Sequence, residues 1–209
     1  MNDRNLFDTQ ERRWIELAQK NDLDAFNHLV LSYQDVAFNF ASWMLNDDTL
    51  AEDIVQAAFL TAYCQIRNFR GGSFRAWLLK IIRNSCIDEI RRRIRHPWIP
   101  LEPMNADAEA LVNADWLVDR GPSPEELVIK HEDWRKVERS IQQLTIPFRE
   151  VLILIDIEAY NYQEAATVLN VPLGTIKSRL ARARACLRAL LVEDSFFISP
   201  LLPTSARHS

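Results

Sequence analysis

From Thr9 to about Arg93 the apolar residues recur at spacings of three and four, and the same spacing returns from about Glu125 to Val192. Such a pattern makes amphipathic helices, each of which must bury one stripe against a neighbour. Alternating β-branched runs are scarce and the 209 residues include only four glycines, so little in the chain competes for strand. The chain is predicted to be all-α.

In the first half, four helices are predicted, at about 10–19, 22–45, 50–68 and 74–93. Asn21-Asp22 breaks and caps, Asn46-Asp47-Asp48 breaks again with Asp48 or Thr49 as the cap, and Ser73 caps the fourth helix after the loop Arg70-Gly71-Gly72. His96-Pro97 ends that helix, because the residue before proline avoids the helical basin. The next stretch is acidic and broken by Pro97, Pro100, Pro103, Pro122 and Pro124, with at most one helical turn near 108–116. A connection this long reads as a linker between separate domains. Helices are then predicted at about 124–144, 147–157, 162–169 and 174–191, with Pro147 in a first turn. The expected architecture is two small helical domains, 1–95 and 124–192, joined by a long acidic linker, 96–123, and followed by a tail, 193–209.

Charge is distributed unevenly along this plan. The net charge is −4, but residues 65–95 carry nine Lys/Arg against two Asp/Glu, residues 96–133 carry two against nine, and residues 174–190 carry five cations and no acid. Two basic patches flanking an acidic stretch suggest a polyanion gripped at two places. Cys64, Cys86 and Cys186 form no CxxC pair and are expected as buried free thiols in a reducing compartment. The N-terminal MNDRNLFDTQERRW lacks an apolar signal core, and no apolar run approaches the length of a membrane span. A cytoplasmic location without membrane insertion is expected.

The strongest motif is YQEAATVLNVPLGTIKSRLARARACL, residues 162–187. A short helix carries Ala166 where two helices must cross closely. Asn170 tolerates a left-handed backbone in the turn, and Ile176 and Leu180 supply the buried face of the next helix. This is a helix-turn-helix, whose second helix enters the major groove. Lys177, Ser178, Ala181 and Arg182 share its outward face, and Arg179 and Arg184 flank it within reach of phosphates. A helical hairpin with a merely solvated basic face is the competing reading.

A second motif is FRGGSFRAWLLKIIRNSCIDEIRRRIR, residues 69–95. Phe74, Leu78, Ile81, Ile82 and Cys86 make its apolar stripe. Lys80, Asn84 and Arg91 lie along another face with Arg83 beside them, a spacing that follows phosphates. Phe69, Phe74 and Trp77 offer rings to unpaired bases, and the glycines allow close backbone approach, a combination suited to opened DNA. Phe74 and Trp77 as core residues, with the arginines a solvated helix end, is the alternative. In AEDIVQAAFLTAY, residues 51–63, Ile54, Phe59 and Leu60 are expected inward, with Glu52, Asp53 and Gln56 outward. The carboxylate pairs Glu52/Asp53, Asp88/Glu89 and Glu125/Glu126 are adjacent in sequence and point apart, and no metal-spaced His/Cys or phosphate-cradling glycine motif occurs, so no catalytic residue, metal site or cofactor is expected and the chain is not expected to be an enzyme.

DAFNHLVLSYQDVAFNFASWML, AEDIVQAAF, GSFRAWLLKIIRNSCIDEIRRR and YQEAATVLNVPLGTIKSRLARAR stand in the order seen in bacterial RNA polymerase sigma factors of the extracytoplasmic-function (ECF) group, within the sigma-70 family. The chain resembles that family over residues 21–95 and 137–190. The resemblance implies promoter recognition on behalf of core RNA polymerase, with no bond chemistry. It places Asp53 and Gln56 against the clamp coiled coil. Phe69, Arg70, Gly71, Gly72 and Ser73 fall in the loop that captures a flipped −10 base, and Arg83, Asn84, Asp88 and Arg91 on the strand-opening helix. Thr175, Lys177, Ser178 and Arg182 match the −35 reading helix, and the second domain would bind the polymerase flap. Promoter DNA and core polymerase are the implied partners, with an anti-sigma factor often a third. Ala57 stands where the family usually has an acidic residue, and Pro147 falls later after Leu144 than the family's proline. A stand-alone helix-turn-helix regulator is the rival reading, and it has no need of a glycine loop beside an aromatic, basic helix.

Overall fold

Three asparagines in left-handed backbone punctuate the chain, Asn21 (φ 70), Asn46 (φ 53) and Asn170 (φ 52), where the short polar side chain makes that conformation tolerable. Each follows a helix end and reverses the chain. The computed structural model describes residues 3–95 and 135–198, and for 3–8 and 193–198 the main chain only. The predicted linker, the first part of the predicted helix 124–144 and the end of the tail lie outside the described residues.

The first domain has four helices, α1 Asp3–Ala18, α2 Leu23–Leu45, α3 Asp48–Gln65 and α4 Phe74–Arg95, with a 3-10 turn at Ile66–Asn68 before the glycine loop. Asp22 caps α2 by accepting from the Ala25 N–H at 3.0 Å. The cap of α3 is Asp47, accepting from Leu50 N–H at 3.1 Å, one residue earlier than expected. Ser73 caps α4, its Oγ accepting from Ala76 N–H at 3.2 Å. α1 begins seven residues before the predicted start. α2 packs on α1, α3 and α4, so Leu29, Phe40, Met44, Phe74, Leu78 and Ile82 are buried together.

The second domain has α5 (residues 135–143), α6 Ile146–Leu152 continuing into a π turn Ile153–Ile157, α7 Tyr162–Leu169 and α8 Leu173–Ile198. α8 therefore extends into the segment read as a tail. α6 and α7 pack on α8 around Ile141, Val151, Leu154, Val168, Ile176 and Leu180.

The two helical domains are those expected, and they also pack on each other. α7 lies against α4, the π turn lies against α2, and one continuous cluster of buried residues runs from Ile15 to Ala183. Two further corrections concern side chains. Cys86 is buried, but Cys64 and Cys186 are exposed. Leu60, expected inward, is 69% exposed.

Candidate nucleic-acid interface

The glycine loop owes its shape to the main chain. Gly71 (φ +97) and Gly72 (φ +90) occupy backbone that side-chain-bearing residues rarely adopt, while a Cβ at either would meet nothing within 4 Å. The glycines are thus required for conformation and leave open space outside the loop. Arg70, Gly71, Gly72 and Ser73 are exposed. Phe69 is not: it is buried, with its ring centroid 5.8 Å from Phe74 and 5.4 Å from Trp77. The expectation of Phe69 as an accessible ring is corrected here, because it fills the core under the loop together with Phe74, whose place on the apolar stripe holds. Trp77, half-buried at the edge of this trio, keeps part of its ring accessible.

On α4 the burial pattern sorts the cations. Lys80, Asn84 and Arg91 are exposed along one face, as their spacing predicts. Arg92 and Arg93 both bind Glu89, and Arg93 also reaches Asp47 at 2.7 Å, tying the end of α4 to the start of α3. Those arginines are structural. The Arg93 hydrogen bond and the Leu50 N–H hold the Asp47 carboxyl below the usual carboxylate range, and Arg92 does the same for Glu89. Arg83 faces inward to the second domain. Its Nε lies 2.7 Å from Glu150 Oε1, and Nη2 donates to Oε2 at 3.1 Å. Glu150 is 1% exposed, and burial raises its carboxyl against the opposing pull of Arg83.

The helix-turn-helix has the predicted frame. Asn161 accepts from Gln163 and Glu164 N–H while Glu164 accepts from Asn161 N–H, all at 2.9 Å, a reciprocal cap that the sequence reading passed over despite its spacing. Ile176, Leu180 and Ala183 are buried. Lys177, Ser178, Ala181 and Arg182 are exposed on the opposite face, Thr175 and Arg179 are half-buried beside it, and the Ser178 hydroxyl donates to Thr175 O at 3.1 Å. Arg184 stands apart from this set: it pairs with Asp156 of the π turn at 2.5 and 2.9 Å.

On α3, Asp53, Gln56, Ala57 and Leu60 are all exposed and fall on one stripe by their spacing of three and four. Leu60 therefore extends the acidic face as an apolar patch.

Four residues that the sequence reading did not single out hold the domains together. Arg149, buried in α6, donates to Met44 O at 2.8 Å, to Leu144 O at 3.3 Å and to Gln142 O. Gln142 in α5 donates to Trp43 O at 2.7 Å. Both fill unsatisfied carbonyls at the C-terminal end of α2. The Arg75 guanidinium lies 3.8 Å from the Tyr160 ring centroid. No short-range pattern marks these residues, since the partners that join the domains, Trp43 and Met44 O and the Arg75–Tyr160 pair, are distant in sequence. Among the described residues no cluster of His, Cys, Asp and Glu could hold a metal, and no helix is long and apolar enough to cross a membrane.

A four-helix domain with a glycine loop and basic helix, followed by a helix-turn-helix, defines a promoter-binding component of transcription initiation. Residues 29–96 match Sigma-70 region 2 and residues 134–187 match Sigma-70 region 4. The chain is 34% identical over 181 residues to the ECF RNA polymerase sigma factor SigW of Bacillus subtilis, covering 86% of this chain and 96% of that one. Among solved structures it is similar to CnrH in complex with the cytosolic domain of CnrY (TM-score 0.64, 26% identity, 88% of this chain and 99% of that one). It is also similar to the sigma factor RpoE in complex with the anti-sigma factor NepR from Bartonella quintana (TM-score 0.57, 25% identity, 79% of this chain and 96% of that one). The chain belongs to the ECF group of the sigma-70 family, and it directs RNA polymerase to promoters. The region 2 match across the first domain disfavours a stand-alone regulator.

Proposed function

We propose that α8 reads the −35 element with Thr175, Lys177, Ser178 and Arg182, and that Arg179 and Arg184 serve its flank. The loop Phe69–Ser73 captures an unstacked −10 base, with Trp77 as its ring and Lys80, Asn84 and Arg91 on the strand beside it. Arg83 joins them once it is free of Glu150. Phe69 acts from beneath the loop as a support. Asp53 and Gln56 meet the polymerase clamp, and Leu60 adds apolar area on the same stripe. The second domain meets the flap, and residues 96–123 occupy polymerase channels. The protein acts in the cytoplasm without bond chemistry of its own, and an anti-sigma factor is its natural antagonist. These assignments divide the chain at 1–95, 96–123 and 124–192.

The observation that carries this reading is the pair of exposed polar stripes, Lys80-Asn84-Arg91 and Lys177-Arg182, on helices whose opposite stripes are buried. Cations presented that way meet phosphates and base edges without unfolding anything. Run-off transcription with purified core polymerase on a promoter library tests it. Discrete start sites that depend on this protein are expected, and loss of initiation when either stripe is neutralised. Unchanged initiation after neutralising one stripe overturns the role given to that stripe.

A further inference from the structure

We infer that α1 and the glycine loop form a second nucleotide site for the opened strand, on the side of the loop away from Trp77. There Arg12 and Arg70 hold the phosphate, and Glu16 and Gln19 accept from the amino group of an unpaired base. This rests on the role proposed above for the loop.

Two cavities lie back to back across the loop and share Phe69, Arg70, Gly71 and Gly72. One, of about 430 Å³, has Trp77 and Lys80 in its wall, where the captured base is placed. The other, of about 600 Å³, is completed by Arg12, Ile15 and Glu16 of α1 and by Gln19 just after it. Their spacing of three and four puts these four side chains on one stripe. The stripe faces the loop because the Gln19 amide donates to the Ile66 and Phe69 carbonyls at 3.2 and 2.9 Å. Between the cavities the crest of the loop is bare, since a Cβ at Gly71 or Gly72 would meet nothing within 4 Å. A strand can therefore pass along the main chain from one cavity to the other.

The side chains of the second cavity suit a nucleotide. Ile15 and Phe69, each 8% exposed, give an apolar floor for the flat of a base. Arg12 and Arg70 stand exposed at the rim. Unlike Arg92, Arg93 and Arg184, neither is paired with a carboxylate among the described residues, so both guanidiniums are free for phosphate oxygens. Gln19 spends its N–H groups on the two carbonyls, which leaves its Oε1 as an acceptor beside the exposed Glu16 carboxylate. Two acceptors suit the amino group of cytosine, adenine or guanine. Thymine offers a single N–H between two carbonyl oxygens, and those oxygens are repelled by a carboxylate.

The test uses holoenzyme made with the full chain, and a forked duplex carrying a promoter selected by the run-off assay. Its non-template strand is unpaired across the −10 element, with each of the four bases placed in turn at every unpaired position. Competitive binding then gives the base preference at each position. Beside the position of capture, the parent is expected to favour an amino-bearing base over thymine about fivefold or more. Glu16→Ala, at an exposed position and so expected to melt with the parent, should reduce that preference below about twofold and leave the captured position unchanged. Arg12→Ala should weaken binding about threefold for all four bases alike. A neighbouring preference that survives Glu16→Ala overturns the base reading, and full affinity in Arg12→Ala takes the strand off α1. Failure of the underlying reading looks different. A sharp preference at the captured position, lost in Gly72→Val, with none beside it defeats the second site alone; a flat profile at every unpaired position defeats the capture loop as well.

Discussion

The side-chain amide of Gln19, in the turn after α1, donates to the main-chain carbonyl of Phe69 at 2.9 Å and to that of Ile66 at 3.2 Å. One side chain thus fixes both ends of the 3-10 turn that launches the glycine loop. Removing it leaves the part-buried Phe69 carbonyl without this donor, at a cost of about 1–3 kcal/mol, while the Ile66 carbonyl keeps the Phe69 N–H at 3.0 Å. Gln19→Ala is expected to lower the chemical denaturation midpoint and to reduce promoter opening, and Gln19→Glu to be worse, since a carboxylate repels both carbonyls. Permanganate reactivity of unpaired thymines, measured beside core-polymerase binding, checks this; normal opening by both variants would remove Gln19 from the loop's support.

At Gly72 the penalty for a side chain is backbone strain alone, because the space around it is open. Gly72→Val is expected to cost about 1–2 kcal/mol and Gly72→Asn less, since asparagine tolerates positive φ better. Promoter opening should fall in the same order while gel-shift binding to intact duplex is retained. Phe69→Ala is a different experiment: truncating that buried ring should cost about 3–5 kcal/mol of folding stability and blur any reading of function.

Arg182 and Arg184 lie on one helix but differ in their ties. Arg182→Ala is expected to cost about 1–3 kcal/mol of promoter affinity and to relax preference at one base position. Arg184→Ala should leave base preference intact, because its guanidinium is already paired with Asp156. Competitive binding to a promoter library distinguishes them. A uniform loss across all sequences for Arg182→Ala would make it a phosphate contact.

For the polymerase face, Asp53→Arg and Leu60→Glu are each expected to weaken capture of core polymerase severalfold, with unchanged thermal melts because both side chains are exposed. Equal capture by both variants in a pull-down would move the contact away from α3.

Acid should loosen the joint between α3 and α4. The Arg93 hydrogen bond, then the Leu50 N–H, lowers the Asp47 carboxyl, so its stabilising effect is present above the ordinary carboxylate value and is lost as pH falls through its depressed one. Glu89 is lowered by Arg92 in the same sense. Asp47→Asn still caps α3, and it is expected to be less stable at neutral pH with a flatter acid limb. Denaturation midpoints across the acidic range measure this, and parallel limbs for the two proteins would show that Asp47 carries no part of it.

Local chemistry decided the helices. Periodicity, Asp22, Ser73, Asn170 and Pro147 act within a turn or two, so the α-class, the helix-turn-helix and the outward set Lys177, Ser178 and Arg182 were legible in the residues themselves. Errors at this level were small and local: Asp47 takes the cap because its carboxylate sits one residue nearer the free N–H groups, and Leu60 turns outward because Val55, Ala58 and Phe59 already fill the stripe. The tertiary structure alone decided how the domains meet. Glu150 and Arg149 read as ordinary charged positions on a short helix, yet both are buried, because their partners are Arg83 and the carbonyl end of α2. It likewise set Phe69 under the loop and divided the arginines of α4 into those that hold the fold and those that face out. A pattern with the helical period tells which side of a helix is buried, but a charge pairs with whatever lies within a few ångströms, and that neighbour can come from the other end of the chain.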